Sequence, residues 1–137
     1  MPDHPFAVQG IDHIVLRVRE LARSLAFYRD VLGCALEREQ PELGLTQLRA
    51  GRSLIDLVTI DGPLGAGEPP GAGRNVEHFC LTVAPFDASR LSEWLAARGV
   101  TAMAPAPRYG AEGEGHSFFV EDPDGNRIEL KGAGGAR

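Results

Sequence analysis

Two histidines and two carboxylates occupy matching places in this sequence. His13 opens Asp12-His13-Ile14-Val15-Leu16-Arg17-Val18, and His78 sits in Glu77-His78-Phe79-Cys80-Leu81-Thr82-Val83. The runs share an acidic residue before the histidine, a leucine three on and a valine five on, at a spacing of 78 − 13 = 65. Asp56 and Glu129 each stand between apolar neighbours, in Ile55-Asp56-Leu57 and Ile128-Glu129-Leu130. Two imidazoles and two carboxylates suit a divalent ion of borderline hardness, such as Zn, Ni, Mn, Fe(II) or Co, with water or substrate oxygens completing the shell. That chemistry requires the four side chains to meet.

The elements that carry them follow from periodicity. Residues 11–18 are short and β-branched, hence a strand. Alternation puts His13, Val15 and Arg17 on one face and Ile14, Leu16 and Val18 on the other. Leu21, Leu25, Tyr28 and Leu32 recur at helical steps, so a helix is predicted over 20–32, stopped at Gly33. Strands are expected over 35–39, 43–50 and 53–60. The second half repeats the order: a strand over 76–83, a helix over 87–98 with Asp87 as N-cap and Gly99 as its stop, then strands over 100–104, 117–121 and 127–131. Leu91, Trp94 and Leu95 form the apolar face of that helix.

The helix-ending glycines are 99 − 33 = 66 apart, close to the histidine spacing, which points to a duplicated module. The fold class is therefore α+β: two tandem βαβββ modules forming a curved, cup-like mixed β-sheet with helices on the outer face. Module one spans about 10–60 and module two about 76–131, within one domain over 1–137. Residues 61–75 hold eight Gly or Pro and read as a linker. A second breaker-rich stretch runs from 104 to 115, and the Gly-rich tail after 131 has nothing to bury. The apolar neighbours of Asp56 and Glu129 face the helices, so both carboxylates and both histidines belong to the opposite face. One such module covers only one side of its sheet, which leaves the other to form a cup or meet a partner.

Composition removes other classes. With 137 residues the chain is one ordinary domain. Its net charge of −5 gives no positive field for nucleic acid or an anionic membrane. No apolar run nears the ~20 residues of a membrane span, and the start lacks a secretory pattern. Cys34 and Cys80 form no CxxC pair, so a reducing cytoplasm is the expected location. Cys80 reads as a space-filling residue, and His4 has no assigned role.

The chain resembles the vicinal oxygen chelate superfamily, which includes glyoxalase I, fosfomycin-resistance enzymes, extradiol dioxygenases and bleomycin-resistance proteins. The resemblance rests on Asp12–Val18, Ser24–Gly33, Glu77–Val83 and Phe119–Leu130. It implies a metal held by His13, His78 and Glu129, with Asp56 at the place of the fourth ligand. Glu129 or Asp56 would then be the base that moves a proton beside a metal-bound carbonyl. It also implies a homodimer whose sites combine module one of one chain with module two of the other.

Particular members differ in their further residues. Glyoxalase I matches at Arg17, which there helps hold the glutathione carboxylate, but the asparagine expected after Asp56 is Ile60 here. Fosfomycin-resistance enzymes share the form of Arg108–Ser117, which brings Arg108 and His116 forward as substrate contacts. They expect a tyrosine at Phe119, a basic C-terminal segment that this sequence does not supply and, in the hydrolytic branch, a glutamate near Gln47. Extradiol dioxygenases also expect a tyrosine near the metal. Phe119 would then act as an apolar substrate contact. The leading expectation is a glyoxalase-like lyase or isomerase acting on a small oxygenated substrate. The alternatives are a fosfomycin-type enzyme, an extradiol-type dioxygenase and a small-molecule-binding resistance protein, against which intact ligands argue.

Overall fold

The β-branched runs and glycine-stopped helices fall in the order β1 (His13–Val18), α1 (Leu21–Leu25), β2 (Ala35–Gln40), β3 (Leu45–Ala50), β4 (Ser53–Thr59), β5 (Phe79–Thr82), α2 (Ala88–Ala97), β6 (Ala106–Gly110), β7 (Gly113–Glu121) and β8 (Arg127–Lys131). This is a computed structural model, and it describes residues 9–67 and 76–133. His4, residues 68–75 of the linker and residues 134–137 of the tail lie outside the described residues.

The βαβββ order occurs twice. Each copy makes its own four-stranded mixed sheet, in the orders β1-β4-β3-β2 and β5-β8-β7-β6. In each, the first and last strands pair in parallel and the rest antiparallel. Helix α1 continues as a π-helical stretch over Ala26–Val31, which buries both Phe27 and Tyr28. Gly33 then turns the chain at φ +83°, a conformation that favours glycine. Asp87 caps α2 by accepting from the backbone N–H of Arg90 at 3.2 Å.

One expectation fails. Residues 100–104 form no strand. The pairing partner of β7 is instead β6, within the breaker-rich stretch. Pro107 is tolerated there because β6 lies at the sheet edge, where a missing N–H costs no ladder bond. The glycines at 110 and 113 close a two-residue hairpin.

Both sheets turn their apolar faces to one core. Leu16, Val18, Ile55 and Leu57 of the first module pack in the same cluster as Phe118, Val120, Ile128 and Leu130 of the second, with Phe27, Tyr28 and Leu95 from the helices. Polar contacts sew the seam. Tyr28 Oη–H donates to Asp122 Oδ2 at 2.7 Å, Trp94 Nε1–H to the Val31 carbonyl at 3.0 Å, and Arg19 pairs with Asp124 at 3.2 Å. Asp122 is saturated by the backbone N–H groups of Asp124 and Asn126 and the Asn126 amide, which fixes the β7–β8 turn. The opposite face of each sheet, carrying the histidines, takes no part in that core. Among the described residues, no helix is long and apolar enough to cross a membrane.

Candidate metal centre

In module two, the parallel register pairs Cys80 with Glu129, and the antiparallel register pairs Glu129 with Phe119. Paired residues share a face, so these three side chains project together. His78, just before β5, joins them: its Nε2 lies 3.2 Å from Glu129 Oε1. Its Nδ1 lies 2.7 Å from Glu77 Oε1, while Glu77 Oε2 accepts from Arg127 at 2.8 Å. Those two bonds hold the Glu77 carboxyl below the usual range. A carboxylate on Nδ1 fixes the imidazole and leaves Nε2 turned toward Glu129.

Phe119 stands edge-on to His78 at 5.1 Å between ring centroids, with the guanidinium carbons of Arg108 and Arg127 at 4.7 and 4.6 Å from its own. Arg108 is anchored to the backbone and hydroxyl oxygens of Ser117, at 2.8 and 3.0 Å. A cavity of about 330 Å³ opens beside Glu129 and is lined by His78, Cys80, Thr82, Tyr109 and Lys131 among others. Burial, and then the nearby Glu129 charge, pushes the Cys80 thiol up to about 11, so it stays protonated at neutral pH.

Module one repeats the plan with weaker support. Asp56 pairs with Val15, which puts it on the face of His13 and Arg17, as alternation requires. His13 Nδ1 lies 2.8 Å from Asp12 Oδ2. That bond raises the His13 pKa above its ordinary value against the effect of burial, and the Asp56 charge adds to the rise. The Gln47 amide lies 3.2 Å from each Asp56 oxygen. Arg17 is committed to the Gly65 carbonyl at 2.8 Å. His116 pairs with Pro107 and lies one residue out of phase with Ser117 and Phe119, so it belongs to the other face of β7.

The structure therefore gathers His78, Glu129, Phe119 and Arg108 in one sheet and His13, Asp56 and Arg17 in the other. Among the described residues of one chain, no three His, Cys, Asp or Glu side chains meet at metal-binding range. Each sheet carries one imidazole whose Nδ1 is bonded to the preceding acid and one buried carboxylate. Two such halves fit a divalent ion of borderline hardness. Sequence reasoning gave no site role to four residues that contact or flank these side chains. Asp12 and Glu77 were visible as a repeated acid before each histidine, and Lys131 as the residue two beyond Glu129 on one strand. Gln47 reaches Asp56 only through the β3–β4 register, which no local signal announces.

Twin βαβββ sheets, each with a histidine and a carboxylate on its helix-free face, define a duplicated two-module domain. The sequence model of the Glyoxalase/Bleomycin resistance protein/Dioxygenase superfamily matches residues 10–130, and the chain belongs to that superfamily. It is 29% identical to the glutathione transferase FosA of Serratia marcescens, over 90% of this chain and 80% of that protein. It is 34% identical to the lactoylglutathione lyase of Salmonella typhimurium, over 86% and 88%. Among solved structures, an integron cassette protein from the mobile metagenome of V. cholerae superposes with a TM-score of 0.74 at 29% identity, covering 94% of this chain and 98% of that one.

Proposed function

We propose that this protein is a cytoplasmic, metal-dependent lyase or isomerase of the glyoxalase type, acting as a homodimer on a small oxygenated substrate. His78 and Glu129 of one chain and His13 of its partner hold the ion, with Asp56 of the partner subunit as fourth ligand or as a contact through water. The observation that carries this reading is the pair His78 Nε2–Glu129 Oε1 at 3.2 Å, with Nδ1 already committed to Glu77. The ion supplies electrophilic stabilisation of charge developing on a substrate oxygen.

The chain's own residues do the rest. Glu129, buried on a strand and next to His78, is placed to take a proton from a carbon beside a bound carbonyl and return it. Phe119, with two guanidinium groups near its ring, gives the substrate an apolar wall. Arg17 and Arg108 bound the site on the module-one and module-two sides. Sharing between chains is supported by the absence of a three-ligand cluster within one chain's described residues, and by exposed Val15 in the middle of the open face of sheet one. A sheet face that carries an apolar residue and no helix is completed by a second copy about a twofold axis.

Metal content and subunit mixing test this. Purified protein dialysed against Ni, Zn or Mn should retain about one ion per chain. Neither His13→Ala nor Glu129→Ala homodimers should retain it. Co-expressed as a heterodimer, these two variants should regain one of their two sites, because both lesions fall in the other site. A wild-type protein that retains no ion overturns the metal centre. A heterodimer with no regained ion, or a monomer at micromolar concentration, overturns the shared site.

A further inference from the structure

Two residues beyond Glu129, the chain buries a lysine. Lys131 ends β8 and is only 5% exposed. Its register partners, Thr82 on β5 and Ser117 on β7, place it on the face that carries Cys80, Phe119 and Glu129. Its Nζ donates to the carbonyls of Gly113 at 3.0 Å and Gly132 at 3.4 Å, and among the described residues it forms no ion pair. Two neutral carbonyls occupy two of the three ammonium donors and cancel none of the charge.

The space around it is made by glycine. A Cβ on Gly110 would lie 3.1 to 3.5 Å from Lys131 Cε, Cδ and Nζ, and one on Gly115 would lie 3.2 Å from Nζ and 2.8 Å from the Gly132 carbonyl. Gly110, Lys131 and Gly132 also line the cavity of about 330 Å³ that His78 and Glu129 line. A buried charge is costly when unpaired, so a lysine threaded through glycines to such a cavity calls for an anion there. Cys80 and Thr82 add uncharged side chains to the wall. The carboxylates of the wall are Glu129, whose charge a divalent ion would offset, and Glu112 at the exposed hairpin tip.

We propose that Lys131 is an oxyanion receptor beside the metal centre, so that the substrate carries a compact carboxylate or phosphonate group in addition to its chelating oxygens. This deepens the metal-centre reading and rests on it for the place of the chelating end alone. The alternative is a lysine that merely staples the β6–β7 hairpin, and the two differ in what they do to ligands of different charge.

The test is calorimetric titration of the Mn-loaded full chain with methylphosphonate, acetate and acetohydroxamate, in wild type, Lys131→Met and Lys131→Gln. Acetohydroxamate needs only the metal. The glutamine keeps a donor for the Gly113 carbonyl without the charge. Loss of the ammonium should weaken methylphosphonate or acetate by about tenfold or more, as expected for a charged hydrogen bond, and leave acetohydroxamate within about twofold. The stronger of the two oxyanions identifies the substrate's anionic group. Equal weakening of all three probes marks a structural role and overturns the proposal, as does unchanged oxyanion affinity in Lys131→Gln. Metal uptake is read separately. If wild type binds no Mn, the metal centre fails. The lysine is then judged on metal-free protein, where a Lys131-dependent oxyanion affinity sustains it and its absence overturns it.

Discussion

Module two is a finished half-site and module one a sketch of the same plan. In module two, Arg127, Glu77, His78 and Glu129 form an unbroken chain of contacts at 2.8, 2.7 and 3.2 Å. Phe119 backs the imidazole, and a cavity opens beside the carboxylate. In module one, His13 is bonded to Asp12, whose side chain is 89% exposed, and Asp56 is answered by an amide rather than by the histidine. The strand register is the same in both, with the carboxylate opposite the residue two beyond the histidine. The matching register thus aims the histidine and carboxylate of both modules alike, while the residues around them differ. The side that carries the cavity is the one whose histidine and carboxylate are in contact.

The largest expected effect comes from breaking the locked side. His78→Ala should abolish metal retention, measured by elemental analysis after dialysis, because it removes a ligand and leaves the buried Glu129 carboxylate without its neighbour. Asp56→Ala should lower affinity by less, since the Asp56 oxygens are already shared with Gln47. Equal losses in the two variants would erase the distinction between the modules. His4→Ala, a control remote from both histidine motifs in sequence, should retain the ion.

Next comes turnover. With Ni or Zn loaded, glutathione-dependent methylglyoxal isomerisation should fall at least about tenfold in kcat/KM below a lactoylglutathione lyase measured alongside, ~1.4 kcal/mol of transition-state binding. Ile60 offers no amide where glyoxalase I is expected to have one, and Asp56 is a methylene shorter than glutamate. Both departures lie in module one, so matching rates would show that its sketchier half-site costs nothing in this reaction.

Removing the residues behind the histidines sharpens the comparison further. Loss of a carboxylate that orients a metal-binding imidazole commonly costs 10–100-fold in affinity. Glu77→Gln should fall in that range, because Glu77 is itself fixed by Arg127. Asp12→Asn should cost less than about tenfold, because so exposed a carboxylate holds its histidine loosely. Metal titration with a competing chelator distinguishes the two, and a larger loss in Asp12→Asn would reverse the ranking.

Both half-sites were legible in the letters to different depths. Alternation alone assigned His13, Asp56, His78 and Glu129 to the helix-free faces, because strand period is a local property and the repeat supplied its phase. Helix α2 and its Asp87 cap were equally local. Residues 100–104 misled because their β-branched start resembles a strand, whereas β6 hides among prolines and glycines that an edge hairpin tolerates. Those glycines also make room for Lys131, a three-dimensional reason that composition reports only as a break. His116 was drawn to the site by the resemblance of Arg108–Ser117 to fosfomycin-resistance enzymes, and the phase of β7 turns it away. Tyr28 read as one more apolar helix position, and nothing local says that its hydroxyl meets Asp122, 94 residues on.

That tyrosine gives the smallest effect and tests whether the unequal modules stand or fall together. Its hydroxyl bond to Asp122 crosses the seam, and both residues are buried. Tyr28→Phe should lower stability by about 1–2 kcal/mol at neutral pH, less than a fully orphaned carboxylate would cost, because Asn126 still donates to the same Asp122 oxygen at 2.8 Å. The pH dependence carries a sign. Burial, then the Asp122 charge and its hydrogen bond, raises the Tyr28 pKa above its ordinary 10.0. The unfolded chain ionises near the ordinary value and the folded chain does not. The phenol's contribution is therefore complete below pH 10 and is lost as pH rises beyond it, by ~1.4 kcal/mol per unit. Urea unfolding of wild type and Tyr28→Phe between pH 7 and 11 should then show curves that converge above pH 10. Parallel curves would mean that the hydroxyl is not held in the seam, and two separate unfolding transitions in the variant would mean that the modules share less than one core.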